Sequence, residues 1–454
     1  MTLRASTWAV RDVPRLLALV TLCLALLHDF GDYSPLATGL ALLAVVLLAV
    51  SLRAPRGASA AATAAAIVGC ALLQLWYVRW YGWYEAIPAT VLTTAAAVAC
   101  RAQARALRLG ATTAAGAASA ALVALPWRWG RSGIDAFDFV QGAADEVLHG
   151  HNPYSPTWPT YVVFHRESGL STPIDSHFDY QPAVALLAAP GRLVGDVRLV
   201  SVVLFVALFA AAAALAARSG DSARVRTVVL LCAAFPLTTA MVISSWVDVY
   251  VLATFAGWLV LRDRHGALAV AALAICLATK PTFAVLLLPY AVWSGRARRD
   301  LGVAALAALL LMLPFVVATG PAQFVHDVIG VDFDYPTRLD ALTLNSYLYY
   351  SFGIDGLPAW AGIAASAAAA VFALRRRPRD HADLLAAAAL VALVAFLTAK
   401  WAYLNYYFLP AFLLVMAHSA EGLPVAAAWR IGLPVLPTRL RAARGAAPLP
   451  VTGA

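Results

Sequence analysis

Apolar runs of about membrane-spanning length fill most of the chain, and they leave few folds open. Candidate spans fall at roughly 13–30, 35–52, 59–78, 86–100, 110–127, 198–217, 226–246, 249–262, 266–279, 281–294, 300–318, 357–374, 382–399 and 401–418. A hydrocarbon core about 30 Å thick needs ~20 apolar residues in a helix. Backbone in lipid must also satisfy its own hydrogen bonds, which favours helices. Several of the runs are shorter than that length, so their ends are set loosely. Composition agrees: 62% of residues are hydrophobic and 13% charged, with mean hydropathy +0.77, whereas soluble domains carry about 25% charged residues. The fold class is an all-α polytopic membrane protein with about 12–14 transmembrane helices.

The same residues exclude other classes. Cys23, Cys70, Cys100, Cys232 and Cys276 all lie inside apolar runs, and none sits in a CxxC or Cys/His pattern. Disulfide and zinc readings therefore fail. The net charge of +9 does not point to nucleic acid, because the basic residues form short clusters at span ends and no basic–aromatic module is present. The first run, Val13–Leu27, has no convincing small-residue cleavage site and is followed by more spans, so it reads as a retained helix.

Charge bias gives one consistent orientation. Arg4, Arg11 and Arg15 place the N-terminus in the cytoplasm, and Arg53/Arg56 and Arg101/Arg105/Arg108 mark the next inner turns. Arg218/Arg224/Arg226, Arg262/Arg264, Arg296/Arg298/Arg299 and Arg375/Arg376/Arg377/Arg379 follow, with Arg430, Arg439, Arg441 and Arg444 in the tail. Residues 128–197 and the turns near Trp246–Asp248, Lys280, 319–341 and Lys400 then face outside. This path requires that 182–195, "PAVALLAAPGRLVG", be re-entrant or interfacial rather than a crossing. The chain divides into a four-span lead-in (1–109), a membrane core (110–418) and a Pro/Ala/Gly-rich cytoplasmic tail (419–454) expected to be disordered. The expected location is the plasma membrane, with both termini inside.

The external loop 128–197 holds most of the chemistry. From Phe137, apolar residues recur at Val140, Ala144, Val147 and Leu148, while Asp138, Gln141, Asp145, Glu146 and His149 fill the other face. That is an amphipathic helix suited to the membrane interface. It ends at Gly150, and His-Asn-Pro-Tyr turns the chain. An Asp at the start of such a helix, Asp135, is by itself a good N-cap, with Asp138 completing a capping-box-like pair. His149, His151, His165 and His177 share the loop without a metal-ligand spacing. Asp196 and Arg198 organise the return of the loop to the membrane.

The runs "IDAFDFVQGAADEVLHGHNPY" and "FDYQPAVALLAAPGRLVGDVR" resemble the first external loop of GT-C glycosyltransferases. The closest likeness is to the actinobacterial polyprenyl-phosphate-sugar-dependent group around glycosyltransferase family eighty-seven, which includes mannosyltransferases. "ATKPTFAVLLLP", "YPTRLDALTLNSYL" and "AKWAYLNYYFLP" extend the likeness over about 110–418. It implies a GT-C-like helical bundle that takes a sugar, mannose first among candidates, from a polyprenyl phosphate. The acceptor would be a cell-envelope glycolipid or glycan hydroxyl at the external face, with inversion. It also implies an acidic general base at the start of the first loop: Asp135, with Asp138 as the alternative because the spacing to Gly150 permits either.

The chemistry asks for the same parts. An acceptor hydroxyl needs a carboxylate to take its proton. A leaving polyprenyl phosphate needs a fixed cation, donors or a divalent metal. Lys280, Arg338 and Lys400 are external cations at membrane edges and are the donor-phosphate candidates. The lysines could equally snorkel, and Arg338 could pair with Asp340. Asp248, Tyr154, Tyr180, Asn345, Asn405 and Tyr406 are candidates for holding acceptor or sugar. No cofactor and no metal site is assigned, and the expected partners are membrane lipid, the lipid-linked sugar and the glycan acceptor. A transporter or lipid flippase would share the spans but should show repeated halves with broken helices at mid-membrane, and no repeat is visible. A non-catalytic envelope scaffold would not need the acid-bearing loop.

Overall fold

The computed structural model describes residues 13–29, 32–53, 60–79, 81–125, 135–165, 170–280, 283–330, 337–375 and 377–425. Arg4, Arg11, Arg56, Arg376, the start of the external loop and most of the tail lie outside them. The lead-in contributes α1 (Val13–His28), α2 (Pro35–Ser51), α3 (Ala60–Val78) and α4 (Trp83–Arg101), and α5 (Arg105–Ala124) follows. Then come α6 (Asp135–Leu148), a hairpin of β1 (Trp158–His165) and β2 (Leu170–Ser176), α7 (Pro182–Leu193) and α8 (Arg198–Ala217). The rest of the core is α9 (Ser222–Ala233), α10 (Thr238–Ile243), α11 (Asp248–Leu261), α12 (Gly266–Leu277), α13 (Phe283–Leu286), α14 (Leu288–Trp293), α15 (Gly295–Thr319) and α16 (Pro321–Val325). A π-helical turn, His326–Gly330, precedes α17 (Leu344–Phe352), α18 (Ala359–Leu374), α19 (His381–Thr398) and α20 (Leu404–Ser419).

The class is all-α and polytopic, as expected. Five helices are long and apolar enough to cross a bilayer by length and composition: α3, α5, α8, α15 and α19. Most other apolar helices are shorter. Two expected spans are broken. The run 226–246 divides into α9 and α10 around Pro236, and 281–294 divides into α13 and α14, with Pro289 at the start of the second piece. Proline removes a backbone donor and ends the preceding turn. α19 is 72% buried over its apolar window, whereas α15 is 11% buried and turns Leu306, Leu309, Leu310, Leu313 and Val317 outward. α7 has twelve residues, or about 18 Å at 1.5 Å per residue, as does α12 (Gly266–Leu277).

Side-chain caps fix several entries. Ser34 Oγ accepts the Ala37 N–H at 3.1 Å with Pro35 in the first turn, and Ser294 Oγ accepts the Ala297 N–H at 3.2 Å. Each satisfies an amide that the helix cannot. The lead-in does not stand apart: α1 packs on α20, α2 on α19 and α3 on α9. Gln74 donates to Thr239 at 3.0 Å across the α3–α10 boundary.

The two ends of the bundle sort by chemistry. At one end arginines meet carboxylates from other turns: Arg15–Asp383 (3.8 Å), Arg379–Asp383 (2.9 Å), Arg218–Asp263 (3.1 Å) and Arg224–Glu421 (3.8 Å). At the other lie α6, the hairpin, α7, Asp248, Lys280, Arg338 and Lys400. Here the α1–α2 turn reaches the core: Tyr33 N–H donates to Asp340 C=O at 2.6 Å, and Asp32 pairs with Ala341 as an antiparallel bridge. None of these contacts joins the two groups.

Candidate active site

Helix α6 lies on α7 and is the base of the site. Its buried face is Ala136, Phe137, Phe139, Val140, Ala143 and Ala144, so Phe139 and Ala143 join the expected stripe. Leu148 instead is 37% exposed, because the helix ends there. Three polar clamps fix α6 to α7 and its exit turn. The Gln141 side-chain amide serves both directions: Nε2 donates to Gly195 C=O at 3.2 Å, and Oε1 accepts the Val197 N–H at 3.1 Å. Asp145 pairs with Arg192 at 2.8 Å. Arg198 pairs with Asp196 at 2.6 Å and covers the Phe137 ring at 5.0 Å. Gly142 leaves room for Trp158, since a Cβ there would stand 2.3 Å from the indole Nε1.

The Gly-His-Asn-Pro-Tyr turn is a structural latch. Gly150 takes φ +75, which glycine adopts without strain. Asn152 donates to Thr319 Oγ1 at 2.9 Å, at the end of α15, and accepts the Tyr154 N–H at 3.3 Å. Tyr154 is fully buried against Phe178, Phe315 and Phe324, and its hydroxyl donates to Tyr180 C=O at 2.8 Å. Tyr154 thus positions Tyr180 from behind. A second tie follows: Ala183 N–H donates to Ala278 C=O at 3.3 Å, bringing the start of α7 to the end of α12.

That tie brings the polar residues together. Asp248, the first residue of α11, is 1% exposed. Its Oδ1 accepts from Lys280 Nζ at 2.9 Å and its Oδ2 from Asn405 Nδ2 at 3.3 Å. Lys280 also stands over the Tyr406 ring at 4.1 Å. The turn that delivers Asp248 contains Ser245 at φ +53, the one non-glycine residue at positive φ among the described residues. Such backbone costs energy and marks a position that the surroundings enforce. Burial pushes the Tyr180 phenol well above its usual range, and the charges of Asp179, Asp135 and Asp248 raise it further, with Tyr406 alongside. Three carboxylates therefore act on Tyr180 electrostatically.

Arg338 forms the second cationic point. It grips Asp340 with two bonds, Nε to Oδ1 at 2.9 Å and a terminal nitrogen to Oδ2 at 2.8 Å. Tyr403 donates to the same Asp340 at 3.0 Å and lies 5.0 Å beneath the guanidinium. Burial alone would lower the Arg338 pKa, but the hydrogen bond and charge of Asp340, the Tyr403 phenol and Asp135 together raise it. Asp135 is thus within electrostatic reach of both Tyr180 and Arg338. Asp135 Oδ1 also accepts the Ala136 N–H at 2.8 Å, so it serves its own helix start as well.

Other expected site residues are placed differently. Asn345 is 2% exposed and spans two backbones, donating to Ala399 C=O at 2.7 Å and accepting the Leu357 N–H at 2.6 Å. Lys400 is half-buried, and its carbonyl accepts the Arg338 N–H at 3.2 Å. His149 and His151 stand on the exposed side of α6 beside Asp145 and Glu146, His177 faces Pro156 C=O, and the His165 side chain is outside the described residues. Among the described residues no three His, Cys, Asp or Glu side chains are grouped to hold a metal ion, so no step is routed through one. Sequence reading did not single out Asp179 or Tyr403. Asp179 was legible as an acid inside the quoted "FDYQP", and Tyr403 as the tyrosine three residues past Lys400.

Carboxylates, two half-buried cations and aromatic faces gather at one end of the bundle, an arrangement suited to a polar, charged group. Residues 178–399 match the family model of glycosyltransferase family 87. That segment is just under half of the chain, and its likeness to the family supports a glycosyltransferase. The match takes in Tyr180, Asp248, Lys280, Arg338 and Asn345 and stops short of Asp135, Lys400, Asn405 and Tyr406. No curated protein and no solved structure matches the chain.

Proposed function

We propose that this protein is a glycosyltransferase that transfers a sugar, mannose first, from a polyprenyl phosphate to a hydroxyl of a cell-envelope glycolipid or glycan, at the external membrane face and with inversion. The observation that carries the reading is the convergence of Asp135, Asp248, Lys280, Arg338 and Tyr180 from five separate segments at one end of the bundle. Asp135 is the general base. Its carboxylate takes the acceptor proton while the acceptor oxygen bonds to the anomeric carbon. The bond from that carbon to the phosphate oxygen breaks, and its electron pair leaves on the polyprenyl phosphate. Lys280 and Arg338 offset the growing negative charge. Tyr180, Tyr406 and Asn405 supply an aromatic and hydrogen-bonding wall for the sugar. Charge bias favours placing this end outside the plasma membrane and both termini in the cytoplasm.

The test is direct. Purified protein in lipid is given radiolabelled polyprenyl-phosphate-mannose and a membrane-lipid extract, with Asp135→Asn in parallel. Label should enter a new lipid with the wild type, and Asp135→Asn should lower the rate by about 10²–10⁴-fold. Equal rates would remove Asp135 as the base, and no transfer by either would remove mannose as the sugar.

A further inference from the structure

The arginine-rich end holds a cavity of about 420 Å³, far from the acid-lined site. It opens where the end of α2 meets α14 and the turn from α18 to α19. Four exposed arginines line it, Arg53, Arg375, Arg377 and Arg379, against one acidic residue, Asp383. That carboxylate is already engaged, by Arg379 Nε at 2.9 Å and by Arg15 at 3.8 Å. Arg53 lies over the Phe372 ring at 4.5 Å. Arg375 and Arg377 meet no carboxylate among the described residues. Trp293 is also in the wall, and its indole N–H is buried without an acceptor.

An arginine that only sets orientation needs to be on the correct side of the membrane. It has no need to converge with arginines from another segment, and like charges brought together repel. Here Arg53 comes from the lead-in and the other three from the core, and an orphan donor sits beside them. Such a concavity is completed by an anion with several oxygens, and the guanidinium fork fits phosphate best. The flanks indicate the source. Val46 and Val50 on α2 and Val371 on α18 are 56%, 47% and 50% exposed, so apolar helix faces run from the cavity into the bilayer depth. Basic pockets between spans at the inner side are suited to lipid head groups. We propose that this cavity binds the phosphate of an anionic phospholipid from the adjoining leaflet, with its acyl chains along α2 and α18. The bound lipid would join lead-in to core.

The full chain is placed in phosphatidylcholine nanodiscs, and retained phosphatidylglycerol is titrated by native mass spectrometry. Arg375→Gln/Arg377→Gln is compared with Arg101→Gln/Arg105→Gln, which removes the same charge from exposed positions at the same end, outside the cavity. The cavity pair should lose about tenfold or more in phosphatidylglycerol affinity, and the control pair less than about twofold. Trp293→Phe removes only the donor and should lose a few-fold, which carries the test if the arginine variant fails to fold. Equal losses in both arginine pairs, or unchanged binding in Trp293→Phe together with the cavity pair, would overturn the site. Inorganic phosphate binding with the same arginine dependence while phosphatidylglycerol shows no preference would overturn the lipid source. Sugar transfer is not the readout, so the outcome is independent of the reading at the other end.

Discussion

Lys280 has two possible employments, and they separate by experiment. Replacing it with Met leaves the Asp248 carboxylate, 1% exposed, with only the Asn405 amide at 3.3 Å. Removing one partner of a buried pair costs about 3–5 kcal/mol. Lys280→Met should therefore destabilise the protein by about that amount in denaturant unfolding in lipid or detergent, an upper figure because the Lys280 side chain is 16% exposed. Adding Asp248→Asn neutralises the stranded charge, and Lys280→Met/Asp248→Asn should recover most of the loss. Transfer should respond differently. If Lys280 also offsets charge on the departing phosphate, the double variant stays slow by about 10²–10³-fold, the usual effect of losing one such donor. A double variant that regains both stability and wild-type transfer would refute the catalytic half and leave Lys280 as the counter-ion of Asp248. A single variant as stable as wild type would refute the structural half.

Other expectations follow from the same geometry. Asp138→Asn should transfer at close to the wild-type rate while Asp135→Asn does not, since Asp135 acts electrostatically on Tyr180 and Arg338. Gly142→Leu should destabilise α6 against the hairpin by about 1–3 kcal/mol through overpacking, seen as faster proteolysis within 158–176, and Trp158→Ala should relieve it. Asn345→Ala strands a carbonyl and an amide and should cost about 1–3 kcal/mol in unfolding, with transfer falling only as fold is lost. Burial first, then nearby carboxylates, raises the phenols of Tyr154, Tyr180 and Tyr403. A raised folded-state value gives stability that is complete below the unfolded value near about 10 and declines as pH rises above it. Absorbance at 295 nm should therefore show these phenols ionising only with alkaline unfolding.

Much of the fold was legible because lipid imposes a length and forbids unpaired backbone. The runs that became α1, α2, α3, α8 and α19 were readable on that ground. The breaks near Pro236 and Pro289 were not, since tertiary packing decides whether a proline bends a span or divides it. In the site, Asp135, Asp248, Lys280 and Arg338 stood out as charges at the edges of apolar runs. Their partners did not. Asp248 and Lys280 are 32 positions apart, and no local pattern links them. Tyr154 and Asn345 have the side chains of a sugar site but spend their hydrogen bonds on backbone, a distinction that composition cannot carry. The charge of Asp179 was visible, but its approach to Tyr154 comes with the hydrogen bond from the Tyr154 hydroxyl to Tyr180 C=O.

The bridge between Asp32 and Ala341 gives the first helices a different standing. Tyr33 stacks on Tyr350 at 5.1 Å and its amide holds the carbonyl of Asp340, the residue that Arg338 grips. Whatever changes the turn between α1 and α2 therefore changes the seat of a cation at the site. Across relatives, the 29–34 and 338–350 segments are expected to vary in concert, and a chimera that exchanges one without the other should inherit a misfitted Arg338.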